Sequence, residues 1–266
     1  MLSFLRRIRK SLIESGSLTR YWLYAIGEIA LVVIGILIAL QVNNWNQKRI
    51  DREKEGIYLR NIERDLNDQL ETIDLQINYE TSITSITTPI VEYYKAHQSF
   101  QIDSVFTVNM GYISGRKTFV KNAPTYTQLL SSGNIDIISD EILKDHIIVY
   151  YQELERLELI FNKNNNLFVD QVFVPSIIEL SEMQISGEFS NPGTVNPQPD
   201  MVLIDLNEDR LKDITKDIIS DAQNELKLIN IVNFRNFISI IHLGYLMELK
   251  ESTETLLKQV EGFNLW

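Results

Sequence analysis

The chain has no cysteine, and among its 266 residues there are six prolines, eleven glycines and three histidines. Without cysteine there are no disulfides, no thiol catalysis and no thiolate-ligated zinc or iron–sulfur centre. So few helix breakers favour a mainly helical protein. His97, His146 and His242 lie far apart, and no zincin motif, nucleophile elbow or close carboxylate–histidine set accompanies them. The expectation is a non-enzymatic chain with no cofactor and no metal site. Residues 111–118 imitate a phosphate-binding loop, but the glycine-to-lysine spacing is wrong and no buried strand precedes them.

Positive charge is scarce after the first twenty residues. The net charge is −11, yet residues 1–20 carry Arg6, Arg7, Arg9, Lys10 and Arg20 against Glu14 alone, a net +4 that leaves −15 for the rest. Such an acidic body argues against nucleic acid or anionic lipid as its partner.

What the chain does have is one long apolar run. Residues 21–45 read YWLYAIGEIALVVIGILIALQVNNW. The twenty residues 23–42 make about 30 Å of helix, the thickness of a bilayer's hydrocarbon core. Tyr21, Trp22, Tyr24 and Trp45 sit where interfacial aromatic belts form. An acid at the centre of such a helix costs about 2.5–3.5 kcal/mol, while each Leu, Ile or Val returns roughly 0.3–0.6 kcal/mol. Glu28 is off-centre and residues 29–40 are almost all of the second kind, so insertion wins. The basic flank places the N-terminus in the cytoplasm and the bulk in the periplasm of a bacterial inner membrane. Ala39-Leu40-Gln41 lacks the small-x-small cleavage pattern, so an uncleaved anchor is expected.

Within the run, Glu28, Gly35 and Ala39 fall close to one helical face, with Gly27 beside them. Small residues next to a carboxylate let one helix pack closely on another and share a hydrogen bond in lipid. Glu28 therefore has two readings, helix glue and proton or ion relay.

The domains follow as 1–20, a cytoplasmic basic amphipathic segment, then the span at 21–45, then a helical domain at 46–266. Residues 1–13 place Leu2, Leu5, Ile8 and Leu12 on one stripe, either a helix on the inner membrane surface or a basic tail that fixes orientation. The membrane helix is expected to continue to about residue 87, with a possible kink at Gly56, and Pro89 to start a new helix. Residues 99–123 are the least periodic, with one short helix near 104–110. Pro124 begins a helix that Gly133 terminates, and Ser139 or Asp140 caps the next. In that helix Ile147, Tyr150, Leu154, Leu157, Phe161, Asn164 and Phe168 form a core stripe. Asn164 is its odd member and sets bundle register or meets a ligand. Glu153, Glu155 and Glu158 form a solvated face. Pro175 ends or kinks the helix, and residues 187–204 form a proline-rich surface loop.

Helical periodicity returns from about residue 206 with Leu211, Ile214, Ile218, Ala222, Leu226 and Ile229. It then shifts phase to Phe234, Ile238, Ile241, Tyr245 and Leu249. The shift near Asn230 means a break or a face that meets two neighbours. Residues 228–247 are apolar, but Asn230, Asn233, Arg235, Asn236 and His242 make a second span expensive. Trp266 packs on a partner or caps the core.

The block YAIGEIALVVIGILIALQVNNWN at residues 24–46 resembles the opening of an uncharacterised family of bacterial membrane proteins common in Bacteroidota. A second block, PTYTQLLSSGNIDIISDEILKDHIIVYY at residues 124–151, resembles the same family. The resemblance implies localisation and architecture and brings no activity. In architecture alone, one N-terminal span with a single acid before a large domain also resembles energy-transducing stator subunits.

The expected architecture is all-α, one transmembrane helix continuing into an extracytoplasmic helical bundle. The expected function is a membrane-anchored scaffold or accessory subunit that contacts lipid and forms a homo-oligomer or membrane-protein complex. A proton-coupled transducer using Glu28 and an extracytoplasmic ligand sensor are the alternatives.

Overall fold

Local sequence sets the helix ends. Asp140 takes an extended conformation and its carboxylate accepts from the Leu143 N–H at 2.8 Å, capping the helix that follows. Gly133, at φ +67°, ends the preceding helix. Its N–H reaches the Leu130 carbonyl and the Asn134 N–H the Leu129 carbonyl, the paired bonds of a Schellman terminus. The computed structural model describes residues 18–184, 206 and 208–263. Its helices are α1 (Leu18–His97), α2 (Ser104–Ile113), α3 (Pro124–Ser131), α4 (Glu141–Asn164), α5 (Val174–Leu180), α6 (Asp209–Ile219) and α7 (Ala222–Phe263). A 3-10 turn occupies Ile135–Ile137, and a π-helical segment, Asn165–Phe173, joins α4 to α5. The described residues contain no strand, so the protein is all-α. The segments 1–17 and 187–204, and Trp266, lie outside the described residues.

Two compact units divide the chain, Met1–Ile57 and Tyr58–Trp266. In the first, α1 turns apolar side chains outward throughout, from Ile26 to Val42, with Trp22 and Trp45 also exposed. Beyond Trp45 its surface becomes charged, with Arg49 and Glu53 paired at 2.7 Å one turn apart.

The second unit is built on three helices whose buried residues recur at steps of three and four, the spacing of a coiled-coil seam. On α1 these are Leu59, Ile62, Leu66, Gln69, Ile73, Gln76, Glu80, Ile83 and Thr87. On α4 they are Leu143, Ile147, Tyr150, Leu154, Leu157 and Phe161. On α7 they are Leu228, Ile231, Arg235, Ile238, His242, Leu246, Leu249, Thr253, Leu256 and Val260. Contacts between α1 and α7 run in opposite directions along the two helices. Asp74 meets Lys250 at 2.7 Å, Glu80 meets His242 at 3.0 Å, and the Thr87 hydroxyl lies 2.8 Å from Asn236 Oδ1. On α4, Tyr150 meets Thr253 and Asn164 meets His242 in the same reversed order. Helix α7 is therefore antiparallel to both.

Two expectations, at Pro89 and Pro175, need correction, and of the two readings at Asn230 the break drops out. Pro89 does not start a helix, because α1 passes through it. Its missing N–H and ring cost about 3 kcal/mol or more, and the packing of Ile86 and Ile90, on either side of it, against the core around Ile83 and Phe106 opposes that loss. Nor does α7 break near Asn230. The apparent phase shift arises because Phe234 and Ile241 are exposed, while Arg235 and His242 occupy the buried face. Pro175 neither ends nor sharply interrupts the chain of helices. The Val174 N–H bonds the Val169 carbonyl five residues back, and these wider turns lead into α5, where Pro175 sits in the first turn.

Residues 114–123, irregular between α2 and α3, are tied down by side chains from the long helices. Gln69 accepts from the Asn122 N–H at 2.6 Å, Glu158 from the Lys121 N–H at 3.0 Å, and Asp65 from the Thr125 N–H at 2.9 Å. Asn165 donates to the Lys117 carbonyl and Asn162 to that of Phe119. Phe119 itself is fully buried against Phe161. Backbone that forms no ladder must find partners elsewhere when it is covered, and here the bundle's polar side chains supply them. Gly111 serves close packing, because a Cβ there would lie 2.0 Å from the Gln184 carbonyl oxygen.

Replacing Leu154, fully buried on α4, with alanine should lower unfolding free energy by about 2–5 kcal/mol. Leu159→Ala on the same helix, at a position 66% exposed, should change it by no more than about 0.5 kcal/mol. Denaturant unfolding of both variants checks the assignment of the buried face.

Candidate functional site

The first unit presents the apolar face. Gly27, Gly35 and Ala39 are exposed on α1, and a Cβ built on either glycine meets nothing within 4 Å. Glu28 is half-buried on the same helix. The structure thus leaves the small-residue track open. The stretch is long and apolar enough to cross a membrane, and none of its eighteen most apolar residues is buried.

The second unit holds a buried polar network that the sequence reading did not assemble. Its centre is His242, fully buried on α7 and stacked on Phe161 of α4 with centroids 4.0 Å apart. His242 Nδ1 lies 3.0 Å from Glu80 Oε1, and Nε2 lies 3.0 Å from Asn164 Nδ2. With the proton on Nδ1, the neutral ring donates to Glu80 and accepts from Asn164. A protonated ring is served equally well once the Asn164 carboxamide turns end over end. Gln76 donates to the same Glu80 oxygen at 3.1 Å. Glu80 Oε2 has no partner in hydrogen-bonding geometry, although the Ser239 hydroxyl is close enough to influence it.

Two helical turns before His242, Arg235 is 1% exposed. Its guanidinium donates to the Ile113 carbonyl at 3.2 Å, to Ser239 Oγ at 3.2 Å, to Tyr79 Oη at 3.2 Å and to the Gly115 carbonyl at 3.4 Å. Tyr79 donates in turn to the Gly115 carbonyl at 2.6 Å. Residues 111–118, the loop imitator, are thus partly held from beneath by an arginine. Burial pushes the Glu80 carboxyl up, but the hydrogen bond and charge of His242, the charge of Arg235 and the Ser239 hydroxyl outweigh it and hold the group below its usual range. Burial likewise pushes the Tyr150 phenol up to about 12, opposed by its hydrogen bond to Thr253.

The other histidines stay apart. His97 is exposed and stacks on Tyr93, and exposed His146 meets Gln259 at 2.9 Å. Among the described residues no three of His, Asp and Glu gather to hold a metal ion. Glu153 pairs with Arg156, while Glu155 and Glu158 both reach Lys121. Solvent does not reach Glu80 or His242, so the network's chemistry is positional. It sets which residues of α1, α4 and α7 stand level. Asn164 lies within it, half-buried, as the α4 contribution. Glu80, Gln76 and Arg235 were missed, yet each continues a three–four spacing already set by apolar neighbours.

Because Glu80 is held below its ordinary value of 4.5, it stabilises the fold fully above that pH, and the contribution is lost as pH falls through the lower folded value. Glu80→Gln should flatten the acid side of the stability–pH profile. Glu80→Leu should cost about 3–5 kcal/mol at neutral pH by leaving buried His242 and Gln76 without their acceptor and Arg235 without a nearby carboxylate. Urea unfolding from about pH 7 down to about pH 3, from above to below the ordinary carboxylate value, reads both.

No curated protein and no solved structure matches the chain. A family model does, over residues 28–191, which take in most of the apolar stretch, the α4 seam and Glu80. The chain belongs to DUF6090, a family of unknown function.

Proposed function

We propose that the protein is a membrane-anchored, non-enzymatic accessory or scaffold subunit of a bacterial, Bacteroidota-type envelope. On this reading α1 crosses the inner membrane once, with the N-terminus in the cytoplasm and the Tyr58–Trp266 unit in the periplasm. The observation that carries it is the fully exposed apolar stretch of α1 with its open small-residue track. Such a surface is satisfied by lipid and, where Gly27, Gly35 and Ala39 allow close approach, by another helix. The polar network supports the same reading, since solvent-closed Glu80 and His242 fix helices in place. The second unit then acts as a rigid body offering surfaces to protein partners.

Glu28 favours one further reading. It is the sole carboxylate in residues 23–42, and intramembrane acids are candidates for proton transfer. The chain would then be a transducing subunit working beside a membrane partner.

Purified in mild detergent, the protein should elute as a complex larger than one chain. Gly35→Leu combined with Ala39→Leu should weaken that complex about tenfold, the loss of roughly 1.4 kcal/mol of helix packing. Unchanged association would remove this face from the interface, and a solitary monomer would defeat the subunit reading. Glu28→Gln separates the two readings. Retained phenotype with intact assembly leaves the scaffold, and lost phenotype with intact assembly selects the transducer.

A further inference from the structure

Helix α7 has two apolar faces and the bundle covers one. The other carries Phe234, Phe237 and Ile241, all exposed, with Gly244 one turn on and open around its Cβ position. Ile240 and Met247 flank them, also exposed. A cleft of about 430 Å³ runs beside this face, bounded on its far side by Leu167 and Val172 of the π-helical segment. An apolar surface of this length on a compact unit marks a contact site. The spacing of Phe234, Phe237, Ile241 and Gly244 at three and four residues fits a helix as the object contacted.

The charges and side-chain sizes along the face identify that helix. Lys227 stands at one end and Glu251 at the other. If a second α7 is laid antiparallel so that Phe237 meets Ile241 of the other copy, Phe234 falls opposite Gly244 and Lys227 opposite Glu251. The pairs then match, Phe237 against Ile241 as apolar side chains, Phe234 against Gly244 as large against small and Lys227 against Glu251 as plus against minus, with polar Asn230 facing polar Glu248 between them, and the contact is self-complementary as a two-fold interface must be. A parallel pairing would instead set Lys227 against Lys227 and Glu251 against Glu251.

We infer that α7 is a homodimer contact, and that the partner covering its outer face is an antiparallel α7 from a second copy of this chain. The inference rests on the reading of the protein as a self-associating subunit and places a contact in the Tyr58–Trp266 unit, separate from the Gly35 and Ala39 face. Lys227 already pairs with Glu179 in its own chain at 2.9 Å, an exposed contact it can exchange.

Because the chain has no cysteine of its own, introduced thiols report cleanly. Full-length Phe234→Cys and Gly244→Cys variants, co-expressed so that both are anchored in one bilayer, should form a disulfide-linked dimer on mild oxidation. Each variant alone should not, since ten residues of helix put like positions about 15 Å apart along the axis. Phe237→Cys with Ile241→Cys supplies a second pair if Phe234→Cys disturbs folding. Lys227→Glu and Glu251→Lys should each weaken the dimer about fivefold, as two exposed ion pairs would, and the double exchange should restore it.

Linkage in the Phe234→Cys or the Gly244→Cys variant alone overturns the antiparallel register, and linkage only to a different protein overturns the occupant. A dimer of unchanged size with no linkage at either pair overturns this contact while leaving self-association standing. A monomer overturns both.

Discussion

Removing a carboxylate and a guanidinium from water costs several kcal/mol per ion unless partners fill their remaining hydrogen-bonding capacity. The Tyr58–Trp266 unit depends on meeting that condition. Arg235 has four described acceptors, and Glu80 takes bonds from His242 and Gln76 while feeling Arg235 nearby. Those partners come from α1, α7, the last residue of α2 and the turn after it, and α4 joins through the bond of Asn164 to His242. Neither α1 nor α7 can slide by a turn without stranding a charge, nor α4 without stranding the Nε2 of buried His242. Hydrophobic burial supplies the cohesion, since each fully buried Leu or Ile contributes about 1.5–3 kcal/mol, but apolar contacts tolerate a shifted register far better than this network does.

The same condition explains the irregular segment 114–123. Its carbonyls and amides are served by Arg235, Tyr79, Asn165, Asn162, Glu158 and Gln69. Two consecutive asparagines divide the labour at the start of the π-helical segment. Asn164 turns to His242 and Asn165 to the Lys117 carbonyl. The bundle core and the segment packed on it thus share one set of polar residues, and the loop after α2 is part of the core's electrostatics.

Legibility in the sequence followed polarity. The α4 stripe was readable because every member but Asn164 is apolar, and the caps at Asp140 and Gly133 were readable because they depend on a few adjacent residues. On α1 the apolar spacing Leu59, Ile62, Leu66, Leu70, Ile73 and Ile77 is right at Leu59, Ile62, Leu66 and Ile73, but Leu70 and Ile77 are half-buried and the core positions beside them belong to Gln69, Gln76 and Glu80. On α7 it placed Leu226, Phe234 and Ile241 inside, and these are exposed. Hydropathy ranks a residue by its cost when unpaired, and a paired glutamate or arginine does not bear that cost. The pairing between Glu80 and His242 spans 162 positions, so no local window contains it. Spacing without regard to polarity would have found the α7 seam, because Arg235 and His242 stand seven residues apart on it.

Arg235 and His242 also distinguish two stretches that resemble each other in composition. Residues 228–247 and residues 23–42 are both long and apolar. In lipid, Arg235 would face hydrocarbon or snorkel without the carbonyls of Ile113 and Gly115, and insertion would forfeit Glu80 as its nearby acid. Inside the bundle both needs are met, by the Ile113 and Gly115 carbonyls and by nearby Glu80, so the stretch at 228–247 is more stable as a core helix than as a span. The stretch at 23–42 has the opposite character. Glu28 is its sole charged side chain, and the described part of the stretch buries nothing. That stretch is a candidate membrane span, and the partition of α1 into an apolar and a bundled part follows from where the counter-charges are.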